Sequence, residues 1–303
     1  MITGIQTILV RVNNLQQLPL ALVLAVLFVA NGWAEVPQYS ATVLRRFSSE
    51  DARQGIAVDK NYFYAVNNFS ISQHDKRSGK RIRRWDGVSD ETGPLIHLDS
   101  GMILRGKLFA AHSNYPQRPM TSSIEIWDAN SLHHIDSHSF GVHFGSFTWI
   151  DYYDGWWWGS FANYDKTQAD SAYGETRNTL LVKMNHNFQI QSSWIFPAAL
   201  LQRFAPMSNS GGSWGPDNYL YITGHDHGEI YVVSLPEFGS VVNWRATVKV
   251  PAIEGQGIAW DRTTSRRRLW GILKRSQTVV ELEIPPVDEV SNRTAPVVQG
   301  FDE

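Results

Sequence analysis

The chain has ten histidines and no cysteine, so imidazole and carboxylate are the groups best able to do chemistry or hold a metal. Residues 224–229 read GHDHGE and put His225 and His227 two apart. On an extended strand such residues project to the same side and could both reach a divalent metal such as zinc. His112 or Asp99 would supply a third ligand, while a polar loop with surface histidines is the plainer alternative. His97 and Asp99 are also two apart, and a carboxylate beside an imidazole raises its pKa toward neutrality, as an acid/base pair requires. His143 could enter the same chemistry. His97, Asp99 and His112 are the candidate catalytic residues, and His225 and His227 the candidate metal ligands. A structural hydrogen bond explains the His97/Asp99 spacing equally well.

Other motifs carry less chemistry. Residues 211–215 (GGSWG) match the G-x-S-x-G pattern of a serine nucleophile, but that motif works at a strand-to-helix turn, and no helix pattern follows. The basic runs at 76–84 (KRSGKRIRR) and 265–275 (SRRRLWGILKR) fit solvated turns and charged sheet edges. Trp156, Trp157 and Trp158 read as packing residues, with an exposed sugar platform as the other possibility.

The elements that position these residues recur along the chain. Residues 53–66 (RQGIAVDKNYFYAV) are a short apolar strand, a polar turn and an aromatic-rich strand, which is a β-hairpin pattern. Comparable hairpins begin at 99, 145, 211 and 255, with turns at Arg105-Gly106, Asp154-Gly155, Asp217-Asn218 and within 263–267. Each is followed by a third strand, at 70–76, 122–128, 179–185, 228–236 and 278–286. The first four units continue into a fourth, at 80–86, 133–140, 189–197 and 242–250.

Four strands per unit at a period of about 45 to 60 residues predict an all-β fold, a β-propeller of five four-stranded blades. Six blades are the alternative if the 287–303 tail is ordered. The fifth unit lacks a fourth strand, and residues 41–47 (ATVLRRF) can supply it, closing the ring without open edges. The phrase QGIAVD, followed by a Tyr/Phe-rich strand and HDKRSGK, resembles the repeats of NHL-type, gluconolactonase-like and lactonase-like propellers. That resemblance implies the architecture over most of the chain. It implies no ligand set, because the Glu, two Asn and Asp that hold a metal in gluconolactonase-like enzymes are not matched by a motif here.

In a propeller the start of each innermost strand and the loop after each second strand share one face near the axis. The starting positions are Gln54, Asp99, Ser146, Gly212 and Gln256. The second-strand ends bring Asn67, His112, Asn114, Asn163, His225, His227 and Lys274. Gln54, Asn67, Asn114, Ser146, Asn163, Gln256 and Lys274 are accordingly the candidate ligand-binding residues. The long loops at 114–123 and 163–178 fall on this face, where elaboration marks the working side. Asp59, Asp151, Asp217 and Asp261 fall on the opposite face, in turns.

With 43% hydrophobic residues, 18% charged and a net charge of −2, the chain can bury a sizeable core and has no charge asymmetry favouring nucleic acid. Residues 18–30 (LPLALVLAVLFVA) are an uncharged apolar run followed by small residues at Gly32 and Ala34, as in a secretory signal peptide. The run is shorter than a bilayer span, so no permanent membrane anchor is expected. Residues 1–34 are thus expected to be a signal peptide, 35–286 the propeller and 287–303 an extension, in a secreted or periplasmic protein. Two functions fit: a module binding a small polar molecule, a glycan or an exported protein at the face rich in His, Asn and Gln, or an enzyme of lactonase or cycloisomerase type using a histidine acid/base or a bound metal.

Overall fold

The computed structural model describes residues 36–87, 95–142, 144–165 and 175–287. The expected signal peptide, His143 and all of the tail except Val287 lie outside these residues.

The chain builds five blades. Blade 1 is β3 (Gly55–Val58), β4 (Tyr62–Asn67), β5 (Ser70–Asp75) and β6 (Arg81–Asp86), in that order from the axis outward. Blade 2 is β7 (Leu98–Leu104), β8 (Lys107–Ser113), β9 (Ser122–Asp128) and β10 (His133–Gly141). Blade 3 is β11 (Ser146–Tyr153), β12 (Trp156–Ala162), β13 (Leu180–Met184) and β14 (Ile190–Ile195). Blade 4 is β15 (Gly211–Trp214), β16 (Leu220–Thr223), β17 (Glu229–Ser234) and β18 (Asn243–Lys249), and blade 5 begins with β19 (Ala259–Trp260), β20 (Arg268–Leu273) and β21 (Thr278–Glu283). Its fourth strand is β2 (Thr42–Ser48), which pairs antiparallel with β21 from Thr42↔Glu283 to Ser48↔Thr278. The ring is closed by N-terminal sequence, as the unpaired 41–47 segment suggests. Two elements were not legible in the repeat: β1 (Gln38–Ser40), which adds to β18 in parallel, and the helix α1 (Ala198–Phe204).

Hairpin turns follow local chemistry. Arg105 and Gly106 have φ of 50° and 75°, and Asp154 and Gly155 have 49° and 78°, the left-handed pair that matches the twist of flanking strands.

Side chains on alternate residues of each inner strand face opposite neighbours, so the apolar core divides into five layers, one between each pair of blades. Leu108 and Ala110 of β8 join Tyr64, Val66 and Trp127 between blades 1 and 2, while Phe109 and Ala111 join Phe147, Trp157 and Phe161 between blades 2 and 3. Burial on both faces explains why the second strands read as unbroken apolar runs. Trp157 faces blade 2 and Trp158 faces blade 4, both buried, so the tryptophan run is packing between blades. Leu200 and Phe204 of α1 extend the layer between blades 3 and 4.

At the axis the inner strands touch. A Cβ on Gly55 would lie 2.7 Å from Ser100 Cα, and one on Gly257 would lie 2.8 Å from Gly55 Cα and against Ser100. Blades 1, 2 and 5 meet here backbone to backbone, an approach that only very small residues allow. Gly211, from blade 4, abuts Gly257 in the same ring.

On the face bearing the hairpin turns, acids join blades. Asp151 Oδ2 accepts from Arg262 Nη2 at 2.5 Å and from the Trp214 amide at 2.7 Å, tying blades 3, 4 and 5 together. Lys76 pairs with Asp261 at 2.6 Å and Arg267 with Asp217 at 2.8 Å. Asp59 and Asp261 also cap their own turns, as expected, by accepting from the amides of Asn61 and Thr263. Ser213, the serine of GGSWG, lies within β15, donates to Asp151 and accepts from the Trp260 amide at 3.1 Å, so its hydroxyl is a structural link.

Two outcomes follow. Gly257→Ala should destabilise the chain by about 1–3 kcal/mol through overpacking, and Ser100→Gly in the same chain should recover part of the loss, the contact with Gly55 Cα remaining; chemical denaturation measures both. Arg262→Met leaves the buried Asp151 carboxylate without its cation and should cost about 3 kcal/mol, with Asp151→Asn in the same chain restoring part of it.

Candidate functional site

The register places the starts of inner strands against the ends of second strands, Gly55 opposite Val66, Leu98 opposite His112, Ser146 opposite Ala162 and Gly211 opposite Thr223. The polar residues selected by sequence therefore occupy one end of the axis, above the ring of small residues.

Asp99 follows the first residue of β7 and is 4% exposed. Its Oδ2 is 3.7 Å from His97 Nε2 and has no hydrogen-bond partner among the described residues. Burial drives its pKa well above the usual carboxylate range, partly opposed by the Lys274 ammonium. Burial also lowers His97 to about 3, with His112, Lys274 and His225 adding repulsion of a second positive charge. Both shifts favour the uncharged forms, an acid able to donate beside an imidazole able to accept.

Lys274 opens a short turn (Lys274–Ser276) directly after β20 and is half-buried. Its pKa is lowered first by burial; Asp99, Asp226 and Glu254 oppose that effect and Arg53 adds to it. Its ammonium makes no ion pair among the described residues.

Two aromatic residues that sequence reasoning missed complete the mouth. Tyr115 packs its ring 5.1 Å from His97, and Tyr164 stands 5.0 Å from Tyr115. Tyr164 is buried beside Asp99 and Ser146, and desolvation pushes its pKa far up. A signal existed: the pair Asn-Tyr opens both long loops of this face, at 114–115 and 163–164.

The remaining candidates divide. Asn114 donates to Pro119 O at 2.9 Å and accepts from the Thr121 amide at 2.7 Å, which fastens its own loop. Asn163 donates to Phe144 O and Asn178 O and is buried, and Asn67 accepts from the neighbouring Asn68 amide. These three amides are engaged in holding backbone. Gln54 donates to Asn68 Oδ1, and its carbonyl accepts from the Gly257 amide at 2.8 Å, so the strands starting at Gln54 and Gln256 are neighbours. Gln256 sits at φ 65° and its carbonyl accepts from Thr223 Oγ1, while its side-chain Nε2 is buried without a partner among the described residues. Ser146 Oγ is 2.7 Å from Ser113 Oγ.

His112 faces the layer between blades 1 and 2, on the same side of β8 as Leu108 and Ala110, and its Nδ1 bonds Ser123 Oγ at 2.9 Å. It reaches His97 through electrostatics rather than through a shared hydrogen bond. His225 lies near enough to repel charge on His97 and bonds Asp226 at 2.5 Å, whereas His227 is exposed. The chain bends at 225–228 instead of continuing β16, so the same-side rule for an extended strand does not apply to this pair. Among the described residues, no three His, Asp or Glu side chains converge as a metal site would require.

Comparison with protein-family models and with curated protein sequences finds no match. Among solved structures, the chain is similar to hydrazine synthase from Kuenenia stuttgartiensis, at 11% identity over 77% of this chain and 84% of that one, with a TM-score of 0.45. It is similar to the PQQ-bound aldose sugar dehydrogenase of Streptomyces coelicolor, at 12% identity over 84% of each chain, TM-score 0.48. A third similar structure is the β-propeller domain of Cps50 (Swd1) from Myceliophteria thermophila, at 9% identity over 77% of this chain and 83% of that one, TM-score 0.40. The propeller of this chain is established by its own sheets, and the activities of those three proteins do not transfer to it.

Proposed function

We propose that this is an exported β-propeller that binds a small polar ligand at the axial mouth, with an anionic or carbonyl oxygen of the ligand set between Lys274 and the Asp99 acid. The observation that carries this reading is the buried Asp99 Oδ2 beside His97, unpartnered among the described residues, and a half-buried Lys274 ammonium that forms no ion pair among them. Buried polar groups are nearly always paired, and a site that leaves donors unmatched in the free protein is suited to a ligand that supplies the acceptor. Tyr115 gives the ligand an aromatic wall.

An enzyme reading shares this mouth. A carboxyl group and an imidazole 3.7 Å apart, both shifted toward their uncharged forms, can serve as general acid and general base, as lactone hydrolysis or cycloisomerisation needs. Lys274→Met should weaken binding of small carboxylates about tenfold or more in calorimetric titration. Asp99→Asn preserves size and a donor, so under the binding reading it retains affinity. Turnover of a lactone panel by the wild type, lost in Asp99→Asn and His97→Gln, would instead make the protein an enzyme, and unchanged affinity in Lys274→Met would overturn the placement of the ligand.

The protonation states also set a pH dependence. His97 and His112 are held at about 3 and about 4, below the ordinary 6.5, chiefly by burial. Between those values and 6.5 the unfolded chain binds protons that the folded chain does not, so both residues make stability fall as pH drops through this window. Asp99 acts with the opposite sign: its raised pKa makes stability fall as pH rises above the ordinary carboxylate value. Thermal melting across pH 4 to 7 should show a shallower acid limb for the His97→Gln/His112→Gln double variant than for the wild type.

A further inference from the structure

A cavity of about 550 Å3 opens between blades 1 and 2, and Asp99, His97 and Lys274 are not among its described lining residues. Its walls are Trp85 and Leu95, and its polar side carries His112, Ser123, Glu125 and His134. The volume is within the range of small-molecule sites.

The hydrogen-bond directions in this cavity are determined by its acid. Glu125 is 3% exposed and its Oε1 accepts from Ser123 Oγ at 2.6 Å and from Ser137 Oγ at 2.9 Å, while Oε2 bonds His134 Nε2 at 2.7 Å. Because the Ser123 hydrogen goes to Glu125, Ser123 Oγ must accept from His112, so the His112 proton is on Nδ1. His112 Nε2 then carries a lone pair. It is buried, in a residue 6% exposed, and has no partner among the described residues.

Among the described residues the buried unmet atom of this lining is an acceptor, the His112 Nε2 lone pair, and Glu125 Oε2 keeps a further acceptor site. Among the described residues no lysine or arginine lines the cavity, and His134 is the one ionisable group bonded to the acid there. An anion would face the Glu125 carboxylate. A neutral alcohol could satisfy His112 but would gain nothing from the carboxylate. An ammonium offers three donors and a positive charge, and the indole of Trp85, half-buried and edge-packed on Trp127 at 5.1 Å, favours a cation or an apolar body beside it.

We infer that the cavity between blades 1 and 2 is a second ligand site, for a small organic amine whose ammonium bonds His112 Nε2 and Glu125 and whose apolar body lies against Trp85 and Leu95. Its preference is opposite in charge to that of the axial mouth.

The test uses phenethylamine and its uncharged analogue 2-phenylethanol, titrated into the full folded chain by calorimetry and saturation-transfer NMR. The amine should bind at least about tenfold more tightly than the alcohol, and Glu125→Gln should remove that preference. Trp85→Leu, on the wall, should weaken both probes and serves if Glu125→Gln fails to fold. Lys274→Met should leave amine binding unchanged, so failure of the axial reading and failure of this one are separable. Absence of amine binding at millimolar concentration, equal affinity for the two probes, full binding in Trp85→Leu, or loss of binding in Lys274→Met would each overturn the inference.

Discussion

Five blades share one axis, and the backbone contact of Gly55, Ser100 and Gly257 is the constraint from which the rest of the arrangement follows. A ring of five is narrow, so at its waist there is no room for side chains beyond hydrogen or hydroxymethyl. Above the waist the strands start and diverge, and polar groups can stand there facing one another. Below it a cavity of about 140 Å3 is lined by Ile103, Ile150, Ile258 and the Asp151–Arg262 pair. Beside the waist Asp99 is buried, and its carboxyl is kept out of water.

The two faces use charge differently. On the turn face, buried or half-buried acids meet arginine or lysine from another blade, and Asp151 holds three blades through one carboxylate. Those charges are consumed by architecture. On the mouth face, Asp99 and Lys274 are near each other without forming an ion pair. Desolvation dominates the shift of the acid there, and among the described residues its Oδ2 has no hydrogen-bond partner.

Repetition made the fold legible. The hairpin phrase recurs with its turn residues in place, and the missing fourth strand of the last unit matches an unpaired strand near the start, so blade number and closure could be read without coordinates. The candidate site was legible to the extent that it depended on strand ends: Asp99, His97, Lys274 and His225 do gather. It failed where side-chain direction mattered. His112 is one of a period-two series that faces blade 1, and a bulge between Leu98 and Gly101 separates it from the Asp99 side. Asn67, Asn114 and Asn163 are at the right height, but loop backbone takes their amides. Tyr115 and Tyr164 lay in irregular loops, where no periodicity announces an inward ring.

Blade 2 supplies both proposed sites, and its inner hairpin explains how. Asp99 leaves the β7 start toward the axis, while the paired β8 end turns His112 toward blade 1, so adjacent polar residues serve cavities on two sides of one sheet. Because Ser123 donates to Glu125, His112 is held as an acceptor, and a proton on its Nε2 would add charge beside His97, whose own protonation His112 already opposes. A cation bound in the groove would likewise raise the positive potential at the imidazoles. His97 is already held neutral by burial, so filling the groove leaves the acceptor of the axial mouth in place.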